Sequence, residues 1–219
     1  LRSEFVVKIT GTITARPEKM VNPEIPTGRI ELQPTELVVL SRAETPPLPI
    51  DTDGYEIDEE VRLKYRYLDL RRERLQKNIM LRHKMTTLVR EYLNKNGFIE
   101  IETPTLTKSS PEGARDFLVP SRFHPGKFYA LPQAPQQYKQ LLMIAGFERY
   151  YQIAHAFRDE DLRGDRQFEH TQIDMEMSFA TEEDVRDMVE GMMIYVAESC
   201  GKKIFKKPFP VFTHEEAIK

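Results

Sequence analysis

The alternation of apolar and polar positions changes period several times along the chain, and each change marks an element. Residues 5–14 (FVVKITGTIT), then GRIEL and ELVVL, are short runs rich in β-branched side chains, separated by RPEKMVNPEIPT and QPT. They predict three strands of a small antiparallel domain. Three strands leave bare edges and half a core, so the chain is expected to begin inside a domain. Residues 41–60 (SRAETPPLPIDTDGYEIDEE) combine Pro46, Pro47 and Pro49 with a run of acids and predict a linker. Beyond it, Leu75, Ile79, Leu81, Met85, Leu88, Val89 and Tyr92 recur at helical spacing. Gly97 is placed to end that helix in a left-handed turn. A strand follows in FIEIETPTL, stopped by Pro104.

The stretch TKSSPEGARDFLVP is polar and glycine-containing, and suits a loop over a site, with Glu112, Arg115 and Asp116 close together. In LPQAPQQYKQLLMIAG, Pro135 fits a first helical turn and Gly146 a stop, so Gln136 and Lys139, three apart, share a face. Period two then returns. In YQIAHAFR, Tyr151, Ile153, His155 and Phe157 point one way, and Gln152, Ala154, Ala156 and Arg158 the other. In TQIDMEMSF, Thr171, Ile173, Met175, Met177 and Phe179 form an apolar row opposite Gln172, Asp174, Glu176 and Ser178. An antiparallel hairpin would therefore align Arg158 and its small neighbours with Asp174 and Glu176 in one polar floor of both signs. ATP together with an amino acid would meet such a floor. A second helix is expected from Thr181, with Asp184 in its cap and Val185, Met188, Val189, Met192 and Val196 facing the sheet, ending near Gly201. The tail PFPVFTHEEAIK begins another element, so the chain is expected to end before its domain does.

Composition narrows the chemistry. The formal charge is -3 and the pI about 6.0, so a nucleic acid would be met by a shaped site rather than a broad basic field. No apolar run approaches the roughly 20 residues of a membrane span. LRSEFVVKIT lacks the pattern of a secretory leader and Cys200 is the single cysteine, so a cytoplasmic setting is expected. His155, on the apolar row, is expected to pack. His83, His124 and His214 show no zinc-ligand spacing with Cys200, and neither GxxxxGK nor GxGxxG occurs.

Five stretches carry a resemblance. GFIEIETPTL resembles motif 1 and FRDEDLRGDRQFEHTQID motif 2 of class II aminoacyl-tRNA synthetases, while RYLDLRR, SPEGARDF and QAPQQYKQLLM resemble stretches of the aspartate branch. In this order they make nearly the whole chain similar to the bacterial-type aspartyl-tRNA synthetase family. The resemblance implies an α+β fold: a class II antiparallel sheet flanked by helices, incomplete, preceded by part of a small β-barrel OB fold. Residues 1–40 would belong to the anticodon-binding OB fold, 41–60 to a linker, and 61–219 to the N-terminal part of the catalytic domain. Homodimerisation would run through the motif 1 helix and strand.

The resemblance also implies roles. Arg158 would be catalytic, clamping the ATP α-phosphate during attack by the aspartate carboxylate. Glu160, Arg166, Gln167 and His170 would join it around ATP, and Glu160, Arg163 and Arg166 would meet the tRNA acceptor end. Lys139, Asp174, Gln136 and Glu112 would hold aspartate, with Glu176 supporting the site. Two departures stand out: Ala134 replaces the usual serine, and Phe168, Glu169 and His170 replace proline, glutamate and phenylalanine. That phenylalanine stacks on adenine in the family, so the smaller, titratable ring of His170 predicts weaker or more pH-sensitive ATP binding. Motif 3 and the Mg²⁺-binding acids are expected beyond Lys219, with no metal ligands before it, so the isolated chain is expected to be inactive. Two other readings fit fewer residues. A synthetase-like amide ligase would not need the GRIEL and ELVVL runs, and a noncatalytic RNA-binding or regulatory module would tolerate loss of Arg158 and Lys139.

Overall fold

The computed structural model describes residues 1–110 and 112–218, which fall into two compact units, Leu1–Ile79 and Met80–Lys219. In the first unit, β1 (Val6–Ala15) and β2 (Ile30–Ser41) form an antiparallel ribbon. GRIEL and ELVVL are thus one strand and not two, and the three expected strands become two. Pro34, the residue that argued for a break, lies opposite Gly11 beside a register shift between Thr10 and Gly11. The Thr35 hydroxyl donates to the Thr10 carbonyl at 3.2 Å, so a side chain supplies a bond where proline has no N–H to give. The close approach requires Gly11: a Cβ there would stand 2.1 Å from the Gln33 carbonyl oxygen.

Residues 42–58 form neither helix nor strand, yet they are tied down. Asp58 caps α1 (Glu59–Lys64), which leads into α2 (Arg66–Asp69). The Asp69 carboxylate is fully buried and receives Arg62, Arg66 and Arg72 at 3.2, 3.0 and 2.8 Å. Burial pushes its carboxyl up, but the hydrogen bonds from Arg62 and Arg72 outweigh burial and hold it below the ordinary carboxylate value. Arg72, itself 2% exposed, then reaches back to the carbonyls of Thr52 and Pro49, both at 2.6 Å.

The long helix α3 spans Glu73–Lys95, and Gly97 follows at φ +79°, the left-handed stop that the spacing predicts. Only Ile99–Glu100 of the following run ladders, as β3. In the second unit, β4 (Leu118–Pro120) and β5 (Phe128–Ala130) make a separate hairpin, and α4 (Gln136–Ile144) begins after Pro135. Next come β6 (Arg149–Phe157) and β7 (Glu169–Met177), paired antiparallel over nine residues. The sheet order is β3-β6-β7, and β3 runs parallel to β6. Thr181 and Asp184 close a capping box on α5 (Glu182–Ser199), and a short α6 covers His214–Ile218.

Leu88, Val89 and Leu93 of α3, Phe98, Tyr151 of β6, and Met192 and Val196 of α5 form the core, with Ile153, Met175 and Met177 packed against it. The apolar rows of both strands thus meet two helices. Gly191 lets α5 approach α3, because a Cβ there would lie 2.1 Å from the Tyr92 hydroxyl.

Four side chains leave the expected core. His155 is exposed, with Nδ1 3.4 Å from Glu169 Oε1, because the core on β6 reaches Ile153 and no further. Phe179 lies past the end of β7 in the turn into α5, at φ +56° and 98% exposed. Val185 and Val189 are on the outer side of α5, lining a groove with Pro208–Val211 instead of meeting the sheet.

Candidate active site

The polar floor forms as the period predicts. Across the hairpin Tyr150 pairs with Glu176, Gln152 with Asp174, Ala154 with Gln172 and Ala156 with His170, all on one face. Onto this face α4 lays Lys139. Its Nζ is 3.2 Å from Asp174 Oδ1, 3.2 Å from Glu176 Oε2 and 3.4 Å from the Met175 carbonyl oxygen. Lys139 is 9% exposed, so its charge is neutralised by protein rather than by water.

Burial pushes the Asp174 carboxyl above its ordinary value; Lys139 pulls it back and the neighbouring Glu176 carboxylate pushes it further up. Asp174 Oδ1 is close to the ammonium yet out of line for a hydrogen bond, leaving a buried acceptor without a donor. Fully buried Tyr150 responds to the same surroundings: burial, then Asp174 and Glu176, push its phenol well above the usual tyrosine value. It stays neutral and its O–H donates a hydrogen bond to Gln152 Oε1 at 2.9 Å, which also accepts from Thr103 Oγ1 at 2.9 Å.

Arg158 follows β6 directly. Its N–H donates to the Phe168 carbonyl at 2.8 Å, which carries the ladder one residue further, and its guanidinium bonds no group among the described residues. Glu160 is partly buried, with its N–H on the Arg158 carbonyl at 3.1 Å. Arg163 and Arg166 face each other across the tight exposed tip of the connecting loop, joined by Arg166 N–H to Arg163 O at 3.0 Å. Gln167 is exposed and His170 partly buried, its Nε2 accepting from Gln172 Nε2 at 3.3 Å. With Phe168 and Arg82 of α3, these two line a cleft of about 670 Å³.

Of the residues expected around an amino acid, Lys139, Asp174 and Glu176 are brought into contact. Gln136 is partly buried in the first turn of α4, and its side chain makes no hydrogen bond among the described residues. Glu112 is exposed in the loop, its N–H donating to the Ser110 carbonyl at 2.9 Å. Pro111, in the same loop, lies outside the described residues.

Two contributors were missed by the sequence reading. Gln133, 2% exposed, holds the loop by accepting from the Ala114 N–H at 3.1 Å and donating to the Ala114 carbonyl at 2.8 Å and to Asp116 at 2.6 Å. Tyr150, one residue ahead of the YQIAHAFR run, was given no role. A buried amide and a buried phenol are the only local signals either could have offered, and burial is a tertiary property. The loop is also joined to the Arg158 end by Asp159 N–H to Arg115 O at 3.0 Å.

Residues 58–219 match the family of class II tRNA synthetases (D, K and N). The chain belongs to this class II synthetase family. Among its relatives, the aspartate-tRNA(Asp/Asn) ligase of Rubrobacter xylanophilus is 54% identical over 219 residues, and the aspartate-tRNA ligase of Staphylococcus aureus 53%. All of the chain is covered in both, but only 36% and 37% of those proteins, so it spans little more than a third of its curated relatives' length. The class II fold is shared with asparaginyl-tRNA synthetases solved with asparaginyl-adenylate. The Entamoeba histolytica protein superposes at TM-score 0.72 with 25% identity, covering 100% of this chain and 51% of that one. The Pyrococcus horikoshii protein gives 0.78 with 22% identity, covering 98% and 51%. In this class II chain the stretch resembling motif 1 begins at Gly97, just after α3, and contains β3, and the one resembling motif 2 runs from the last residue of β6 through the connecting loop into β7.

Proposed function

We propose that the chain belongs to an aspartate-tRNA ligase, which joins aspartate to ATP as aspartyl-adenylate and then passes the aspartyl group to the terminal adenosine of tRNA. The observation that carries this reading is the buried Lys139 held over a two-signed hairpin floor. Its ammonium has three donors. Asp174 Oδ2 accepts one at 3.3 Å and Glu176 Oε2 pairs with the charge at 3.2 Å, while the third goes to the Met175 carbonyl at 3.4 Å, the longest contact. A substrate side-chain carboxylate takes that third donor, with Gln136 and Glu112 serving the amino-acid backbone. Asp174 and Glu176 keep the lysine fixed.

In the first step a carboxylate oxygen of aspartate attacks the α-phosphorus. A new O–P bond forms as the bond to the bridging oxygen breaks, and pyrophosphate leaves with that electron pair. Arg158, whose guanidinium has no protein partner among the described residues, neutralises the charge that builds on the phosphoryl oxygens. Glu160, Arg166, Gln167 and His170 surround ATP, and Glu160, Arg163 and Arg166 present the exposed tip to the tRNA acceptor end. No protein nucleophile is needed, since alignment and charge do the work. Among the described residues no group of three or more metal-ligating side chains occurs, and Asp174 and Glu176 are engaged by Lys139. The described residues by themselves do not fit a Mg²⁺ site.

The β1–β2 ribbon supports assigning residues 1–40 to an OB-type anticodon-binding domain, with 41–60 as linker and 61–219 as catalytic domain. Ile79, Met80 and Met85 on α3 and Ile99 on β3 are 55, 65, 44 and 50% exposed, which supports a homodimer formed through this helix and strand. No helix among the described residues is long and apolar enough to cross a membrane, and a cytoplasmic location is part of the proposal.

The test is amino-acid-dependent ATP–pyrophosphate exchange with Mg²⁺, on this chain and on the gene product that contains it. Exchange by the gene product with aspartate and not with asparagine or lysine, reduced about 100-fold or more by Arg158→Ala, is the expected result. A folded gene product that exchanges with none of the three overturns the proposal in favour of a noncatalytic module.

A further inference from the structure

From Phe117 to Phe147 the chain contains no Asp or Glu, although it carries 35 of them in all. Within this stretch β4 and β5 close through Ser121–Lys127. The tip is a built turn: Ser121 N–H donates to the Lys127 carbonyl at 2.9 Å, Lys127 N–H to the His124 carbonyl at 3.0 Å, and His124 N–H to Ser121 Oγ at 3.2 Å. With its backbone spent on itself, the tip leaves Arg122, Phe123, His124 and Lys127 exposed. The Arg122 guanidinium carbon stands 4.4 Å from the centroid of the Phe123 ring, and Phe123 is 74% exposed. Neither Arg122 nor Lys127 has an ion-pair partner among the described residues.

A guanidinium stacked on its neighbouring ring is pre-oriented, its edge N–H groups free for phosphate. The exposed phenylalanine offers a second kind of contact, a π-face for an unpaired base. Cations serve any anionic surface; cations with an aromatic platform and no acid in the same stretch of chain suit an anion that carries bases. Since the whole chain is net negative, the attraction is local to this tip.

We propose that the Ser121–Lys127 tip is a docking point for the tRNA substrate, with Arg122 and Lys127 on backbone phosphates and Phe123 under an unpaired base. The inference rests on the tRNA partner in the function proposed above, but it uses a different hairpin from the Arg158–Gln167 loop.

The experiment measures binding of the gene product to labelled aspartate and lysine tRNA transcripts by fluorescence anisotropy across about 50 to 200 mM salt. An Arg122→Ala, Lys127→Ala double variant is expected to weaken binding about 10-fold at low salt, equally for both tRNAs, and to reduce the salt slope by about 2. Phe123→Ala is expected to weaken binding about 5-fold or more with little change of slope. Pyrophosphate exchange, which needs no tRNA, should stay at the parent rate in both variants. Unchanged tRNA affinity and slope overturn the inference, as does a changed oligomeric state with tRNA affinity intact. Tight binding by Phe123→Ala removes the base contact. Failure is separable from that of the proposed function: intact exchange with unaltered tRNA binding sinks only the docking tip. Absent exchange with tRNA binding that falls as expected sinks only the ligase.

Discussion

Replacing Lys139 by Met tests the geometry of the floor most directly. The substitution keeps the length of the side chain and removes the cation, leaving Asp174 and Glu176 side by side on β7 with no counter-charge on α4. Breaking one side of a buried ion pair costs about 3–5 kcal/mol. Here the side chains of Asp174 and Glu176 keep 11% and 29% of their exposure, and water takes up part of the loss. A cost near the lower end, about 3 kcal/mol, is expected, which for a protein of this size lowers Tm by roughly 6–12 °C.

The pH dependence carries the sharper signature. The folded Asp174 carboxyl is already raised above its ordinary value, so between the unfolded and folded values the native state binds more protons. That contribution is greatest on the acid side and is lost as pH rises through the folded value. Lys139 is one of the causes that lower it, and its removal extends the window upward. The deficit of Lys139→Met against the parent should therefore grow between about pH 5 and about pH 7.5, followed by urea unfolding with far-UV circular dichroism. Adding Asp174→Asn should recover part of it at the higher pH. A deficit that is the same at both, or larger in acid, refutes the placement of Lys139 between two carboxylates.

Asp69→Asn removes the charge that three arginines share, and Tm should fall by roughly 5 °C or more, with protease cuts appearing in residues 42–58. Because the folded Asp69 carboxyl is lowered, its stabilisation is present above the unfolded value and lost as pH falls toward the folded one; the variant should show a shallower acid limb. Gly11→Ala drives a methyl into the Gln33 carbonyl and should cost about 1–3 kcal/mol, read as faster amide exchange along β1 and β2 with the β6–β7 amides unaffected. His170→Phe should tighten ATP binding, read as a lower Kd, because the larger ring offers adenine more stacking face. Unchanged affinity removes His170 from the adenine site.

Several features were legible because they are local. The left-handed stop at Gly97 and the Thr181–Asp184 cap need only neighbours in the chain. The face that joins Gln152 to Asp174 needs only period two and an antiparallel return. The same period misplaced His155, since alternation gives the side of the sheet but not how far the covering helices extend. Pro34 misled for a related reason: a proline signals a lost donor, and the Thr35 hydroxyl that answers it acts across the ribbon, on Thr10.

What the sequence by itself determined was therefore the alternation of elements, their stops, and the set of charged residues on the hairpin floor, because covalent order sets periodicity. Only the tertiary structure decided which charges meet. Arg72 closes on carbonyls 20 and 23 residues away, Gln133 grips Ala114 19 residues back, and Lys139 sits between acids 35 and 37 positions ahead. Such contacts depend on how a helix is laid on a sheet. That is set by summed burial and loop closure rather than by any short stretch of residues.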